Sequence, residues 1–341
     1  MSLKTVIEKM PKVEIHVHLE GATRPETVLM LAQKNNIDLP VATVEEARDW
    51  YQYQDFNHFI EIYVAISKCF KTPEDIELIA REFLKGQAEQ NIIYSEVTYS
   101  AYTHYTNYGL TFPEQFEALQ RANDWAKAEL GVSMGIVVDL VRSIPIEQAL
   151  ETADWFIQHR TPLTVAFGIG GIELGYPPER HAEAFRRILA EGDIPIVPHA
   201  GETAGADSIW NAIEVCQATR IGHGVRCLED DKLVDYLREH QIPLEVNPTS
   251  NVCLGVVDSI ANHPIQRLID AGLYVTVNSD DPPMFNTTLT NEFMVCAETF
   301  DWDIDRLQQL TLNALNATFL SDEQKLTLRQ DFEAQFASLR E

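Results

Sequence analysis

Acid and imidazole side chains gather where short, apolar, β-forming runs stop. His16 and His18 close the run that begins at Val13, and His199, followed by Ala200, Gly201 and Glu202, closes the run over 194–198. His223 stands between Gly222 and Gly224 just after Ile221, and Ser279, Asp280 and Asp281 follow the run over 274–278. Parallel barrels carry their reacting groups at the C-terminal ends of their strands. Ends as far apart in sequence as residues 16 and 281 can meet at one point only in a closed or strongly wound parallel sheet.

Eight strand candidates alternate with helical patterns: 13–18, 92–99, 132–138, 163–167, 194–199, 220–222, 243–246 and 274–278. Alternation of this kind predicts βα units around a parallel sheet. The expected fold is therefore α/β, a (β/α)8 TIM barrel spanning 1–341 as a single domain. Thr72, Pro73, Glu74 and Asp75 supply an N-cap, a proline at the first helical position and acids in the first turn. Ile76, Ile79, Ala80, Phe83 and Leu84 then fall on one helical face. Ala182, Phe185, Ile188 and Leu189 repeat that pattern before the fifth strand. The stretch over 21–72 is too long for a βα loop. It carries Trp50, Phe56, Phe59 and Tyr63, and reads as a helical insertion after the first strand that walls or covers a pocket. For Phe56, Phe59 and Tyr63, core packing and stacking on a flat ligand are equally consistent with the sequence.

The 341 residues carry a net charge of −26 and no cluster of Lys and Arg, which argues against a nucleic-acid partner and for a small, neutral or modestly polar substrate. No apolar stretch is long enough to span a bilayer, and the N-terminus shows no apolar signal core. The five cysteines are odd in number and form no CxxC pair, which fits a reducing cytoplasm.

On a strand, residues two apart share a face, so His16 and His18 can bind one ion. His199 adds a third nitrogen and Asp280 a carboxylate oxygen. Three imidazoles and a carboxylate suit zinc or a similar first-row ion, and the lack of cysteine at these ends argues against a structural zinc site. A water in an open position of such a site has its pKa lowered to about 7. Glu202 follows His199 closely through a turn that Gly201 permits, and is a candidate proton donor. His223 is suited to stabilising a hydroxide, and Asp281 to holding a polar edge of the substrate. His58, His159, His181, His240 and His263 read as structural, whereas His104 stays open between the two readings. His181-Ala-Glu183 mimics a cytidine-type HxE motif without its cysteine partner and reads as a solvated helix face. Gly168-Ile-Gly-Gly-Ile-Glu173 starts like a dinucleotide loop, but Glu173 would meet a pyrophosphate with a carboxylate.

Six ordered segments, HVHLEG (16–21), GIGGIE (168–173), HAGE (199–202), GHG (222–224), NPTSN (247–251) and NSDDP (278–282), resemble the adenosine deaminase family over nearly the whole chain. That resemblance implies one zinc per chain on His16, His18, His199 and Asp280. It implies that Glu202 protonates purine N1, that His223 orients and deprotonates the attacking water, that Asp281 meets N7 and that the backbone at Gly171 meets N3. His18 would also border the substrate. Glu20 stands where adenosine deaminases usually carry an Asp that reaches the ribose 5′-hydroxyl, and in this it resembles the family's adenine deaminases. NPTSN instead resembles the nucleoside enzymes. The implied reaction is hydrolysis of adenosine or deoxyadenosine to inosine or deoxyinosine and ammonia, with 6-aminodeoxyfutalosine and adenine as alternative substrates. A non-catalytic metal-binding regulator is the reading from another class, and the presence of both Glu202 and His223 argues against it.

Overall fold

The computed structural model describes residues 1–53 and 55–340. Eight parallel strands follow one another in chain order: β1 (Lys12–His18), β2 (Ile92–Tyr99), β3 (Ser133–Val141), β4 (Thr164–Gly170), β5 (Ile196–Ala200), β6 (Ile221–His223), β7 (Leu244–Val246) and β8 (Val275–Val277). Helices alternate with them, as a (β/α)8 barrel requires. The seam between β8 and β1 is closed by a residue beyond β8. The Asp280 carbonyl accepts from the His18 N–H at 2.9 Å, and the Asp280 N–H donates to the His16 carbonyl at 3.2 Å. β3 and β4 each run three residues past their expected ends, because the continuation through Asp139 and through Gly168–Gly170 breaks apolar patterning without breaking the ladder.

The helix Pro73–Glu89 forms as its sequence dictates. The Thr72 hydroxyl accepts from the Asp75 N–H at 3.3 Å, and Asp75 accepts in return from the Thr72 N–H at 3.1 Å. Ile76, Ile79, Ala80, Phe83 and Leu84 are all buried, packing the helix on the barrel. Between β1 and this helix lie three more, Pro25–Asn35, Val44–Trp50 and Phe56–Ser67, which are the expected insertion. His181 departs from expectation. It is buried rather than solvated, and its Nε2 bonds the Arg142 carbonyl at 2.9 Å. A 3₁₀ turn over Pro178–His181 precedes the helix Ala182–Ala190 and rotates this ring inward, which a 3.6-residue periodicity does not register.

A buried ionic ladder crosses the molecule beneath the strand ends. Arg220 donates from Nε to Glu245 Oε1 at 2.6 Å and from Nη1 to Glu96 Oε2 at 2.5 Å and to the Ala317 carbonyl at 2.7 Å. All three charged side chains are almost fully buried. The five cysteines are free thiols, and among the described residues no helix is long and apolar enough to cross a membrane. Removing the cation alone would strand two buried carboxylates, so Arg220→Met should cost roughly 3–5 kcal/mol of stability. Denaturant unfolding checks this, and an unchanged midpoint would show that the ladder is not needed.

Candidate active site

The strand ends converge as the sequence requires. One ligand atom from each of His16, His18, His199 and Asp280 lies within 4.8 Å of all the others. His18 Nε2 is 3.1 Å from His199 Nε2, and Asp280 Oδ1 is 3.4 Å from His16 Nε2 and 3.3 Å from His18 Nε2. The outer nitrogens explain why the inner ones face each other. His16 Nδ1 bonds Glu245 Oε2 at 2.8 Å, and His199 Nδ1 bonds the Ile169 carbonyl at 3.1 Å. Each acceptor holds the ring proton at Nδ1, leaving an Nε2 lone pair aimed inward, the arrangement that orients metal-bound histidines. His16 Nε2 is buried and lacks a hydrogen-bond partner. Burial opposes charging His16, yet hydrogen bonds and charges from Asp280 and Glu245 raise it to about 10. The cluster therefore demands a cation, and its three nitrogens and one oxygen fit a first-row divalent ion.

Local backbone makes this convergence possible. A Cβ at Gly222 would stand 2.8 Å from His16 Cε1 and 3.2 Å from His199 Cα, so only glycine lets the His16 ring pass. A Cβ at Gly21 would overlap the Asp281 carboxylate. His223 and Asp280 both take left-handed backbone, with φ of 62° and 65°. Few non-glycine residues do so, and a pair at one site marks a backbone bent for function.

Glu202 and His223 flank the cluster. His223 Nε2 lies 3.7 Å from Glu202 Oε1 and 3.8 Å from Asp280 Oδ2. Burial, then the charges of Asp280 and Glu173, push Glu202 well above the ordinary carboxylate range, which favours its protonated form. Burial pulls His223 down to about 3, leaving it neutral. Glu173 shapes the turn that presents Glu202. Its carboxylate accepts from the N–H groups of Gly201 at 2.6 Å, Glu202 at 3.2 Å, Thr203 at 2.8 Å and Ala204 at 2.8 Å, and from the Ser208 hydroxyl. The sequence signal was present: the acid that excludes a pyrophosphate is itself an anion collecting backbone amides.

A cavity opens on this cluster. His18, His199, Glu202, His223, Asp280 and Asp281 line its polar end, and Gly171 lies on its rim. Phe56, Phe59, Ile60, Tyr63, Val64 and Leu254 form an apolar wall. Phe59 also stacks on Phe285 at 5.4 Å, so these aromatics serve both core and cavity, while Trp50 packs on Tyr51 instead. Glu20 sits behind that wall, fully buried. It accepts from the Ser100 N–H at 3.0 Å, His104 Nε2 at 3.1 Å and the Tyr63 hydroxyl at 3.3 Å. His104 is thereby a partner of Glu20. Asp139 also lines the cavity, with Oδ1 unpartnered, and burial raises it to about 7. Its place inside a longer β3 hid it from the sequence reading.

Residues 11–335 match the family described as Adenosine deaminase. The chain belongs to the adenosine deaminase family. It is a hydrolytic deaminase. An adenine deaminase from Crocosphaera subtropica is 36% identical over 323 residues, covering 95% of this chain and 98% of that protein. An aminodeoxyfutalosine deaminase from Streptomyces avermitilis is 36% identical over 339 residues, covering 98% and 94%. The crystal structure of an adenine deaminase from Arthrobacter aurescens superposes with a TM-score of 0.90 at 30% identity, covering 95% of this chain and 98% of its own.

The donor set predicts that elemental analysis will find about one divalent transition-metal ion per chain, and that His18→Ala will lose it. Chelation should lower the melting temperature, because four clustered donors lose their shared cation. Full turnover by metal-free protein in chelator would overturn this.

Proposed function

We propose that this chain hydrolyses the exocyclic amine from C6 of an adenine substituted at N9, with adenosine or deoxyadenosine as the type substrates. It uses one zinc ion held by His16, His18, His199 and Asp280. The observation that carries this reading is Glu202, held well above the ordinary carboxylate range, 3.7 Å from a neutral His223 beside the donor cluster, in a cavity that Phe56, Phe59 and Tyr63 also line. The apolar lining of Phe56, Ile60 and Val64 beside these polar residues supports a substrate that extends beyond the bicyclic base.

The bound zinc ion supplies Lewis acidity that makes water nucleophilic at neutral pH. Glu202 gives its proton to N1, which draws electron density from C6. His223 orients the entering oxygen. Asp281 meets N7 and the backbone at Gly171 meets N3, which fixes the ring. The water oxygen bonds to C6 while its two protons go one to restore Glu202 and one to the amine, so that the C–N bond breaks, ammonia leaves and the 6-oxo product keeps the proton on N1. Acidic side chains line the cavity and, among the described residues, no Lys or Arg does, which disfavours nucleoside phosphates. The free thiols and the charge of −26 support a reducing cytoplasm.

A second reading, adenine itself, is favoured by Glu20. Its carboxylate is engaged by Ser100, His104 and Tyr63, which leaves it less free to receive a ribose hydroxyl. Following the loss of 6-aminopurine absorbance with adenosine, deoxyadenosine, aminodeoxyfutalosine and adenine decides between the two. An N9-substituted compound should give the highest kcat/KM, and adenine outpacing all of them would establish the second reading.

Glu202 must carry its proton to act, so kcat should fall as pH rises through its raised pKa. Glu202→Gln should keep the metal, bind purine and lower kcat by roughly 10²–10⁴. A near-normal rate in that variant would remove Glu202 from the mechanism.

A further inference from the structure

We infer that His263, through Asn251, fixes the ring proton of His223 on Nε2, so that His223 faces the reacting atoms as a hydrogen-bond donor. The chain of partners starts at a group whose role is not adjustable. The backbone N–H of Ile265 donates to His263 Nδ1 at 3.1 Å. A nitrogen that accepts carries no proton, and burial lowers His263 to about 4, so its single proton is on Nε2. That nitrogen lies 3.1 Å from Asn251 Oδ1, which must accept. The Asn251 amide is thereby oriented, and its Nδ2 donates to His223 Nδ1 at 3.1 Å.

A second amide gives the same answer independently. Asn247 Nδ2 donates to the Glu245 carbonyl at 3.1 Å, which sets that side chain's orientation, and the same nitrogen lies 3.4 Å from His223 Nδ1. Both neighbours of Nδ1 are donors, so Nδ1 holds a lone pair and Nε2 holds the hydrogen. His263, Asn251, Asn247 and His223 are all buried, so water does not scramble the assignment. In this arrangement His223 donates to a lone pair of the oxygen attacking C6. It does not receive that oxygen's proton, in contrast to the role the family resemblance implies. His263 and Asn251 are positioning residues that act through His223.

The functional meaning rests on the deamination reading, but the proton's location is measured without turnover. In zinc-loaded protein with ¹⁵N-histidine, two-bond ¹H–¹⁵N correlations should show His263 and His223 both as Nε2–H tautomers. Spectra of His263→Gln and His223→Gln assign the two signals. Finding His223 as Nδ1–H in the unaltered protein would overturn the inference. Asn251→Asp replaces one donor by an acceptor, so it should move the His223 proton to Nδ1. It should lower kcat roughly 10²–10³-fold, the usual cost of one misdirected donor, with KM changed by less than about threefold. His263→Gln, which can still donate to Asn251, should keep most of kcat, whereas His263→Leu should lose it with metal content unchanged. Equal kcat in the Gln and Leu variants would also overturn the relay. If no 6-aminopurine is consumed while His223 is seen as Nε2–H, the functional reading fails and the relay stands.

Discussion

The barrel is closed by the backbone of one of its own metal-site residues. Asp280 exchanges hydrogen bonds with His16 and His18 across the gap between the last strand and the first. Its side chain meets the rings of the same two histidines. Closure of the sheet and assembly of the donor cluster are thus one event. A metal ion held by these residues would tie β1, β5 and the segment after β8, which are remote in sequence and adjacent only in the closed barrel.

Charge is managed outward from that seam. Several carboxylates around the cluster have a named counterweight. Glu245 lies between His16 and Arg220, and Arg220 also answers Glu96. Glu173 is satisfied by consecutive backbone amides and a hydroxyl. Among the described residues Glu202 has no such donors, and burial with the charges of Asp280 and Glu173 pushes it well above the ordinary carboxylate range. The acids differ in the donors that surround them, and that difference separates the structural carboxylates from Glu202.

Much of this was legible in the sequence because chemistry sits where strand periodicity stops. His16, His18, His199, His223 and Asp280 could be placed together by asking which strand ends must meet. Pairings between elements were not legible. His263 read as structural because its partner, Asn251, lies across a turn and a short helix and carries no periodic signal. Glu20 was expected at the substrate because it repeats the face of His16 and His18. β1 ends at His18, however, so the alternation that placed Glu20 in the cavity no longer applies. Asp139 was missed for the opposite reason, since β3 continues through it. The sequence resolves residues whose position follows from one strand, and is silent where a second element decides the direction of a side chain.

The left-handed backbone at Asp280 determines which substitutions there can be read as chemistry. Asn and Asp enter that region far more readily than other L-residues, so Asp280→Asn changes a charge and leaves the seam's geometry in place. A β-branched residue would resist the same φ, adding backbone strain of about 1–3 kcal/mol to the loss of a ligand. Torsion at this position thus limits which side chains fit before any question of metal affinity arises. A chain that drifted away from metal binding would therefore pass through Asn or Gly at residue 280 before any apolar residue became tolerable.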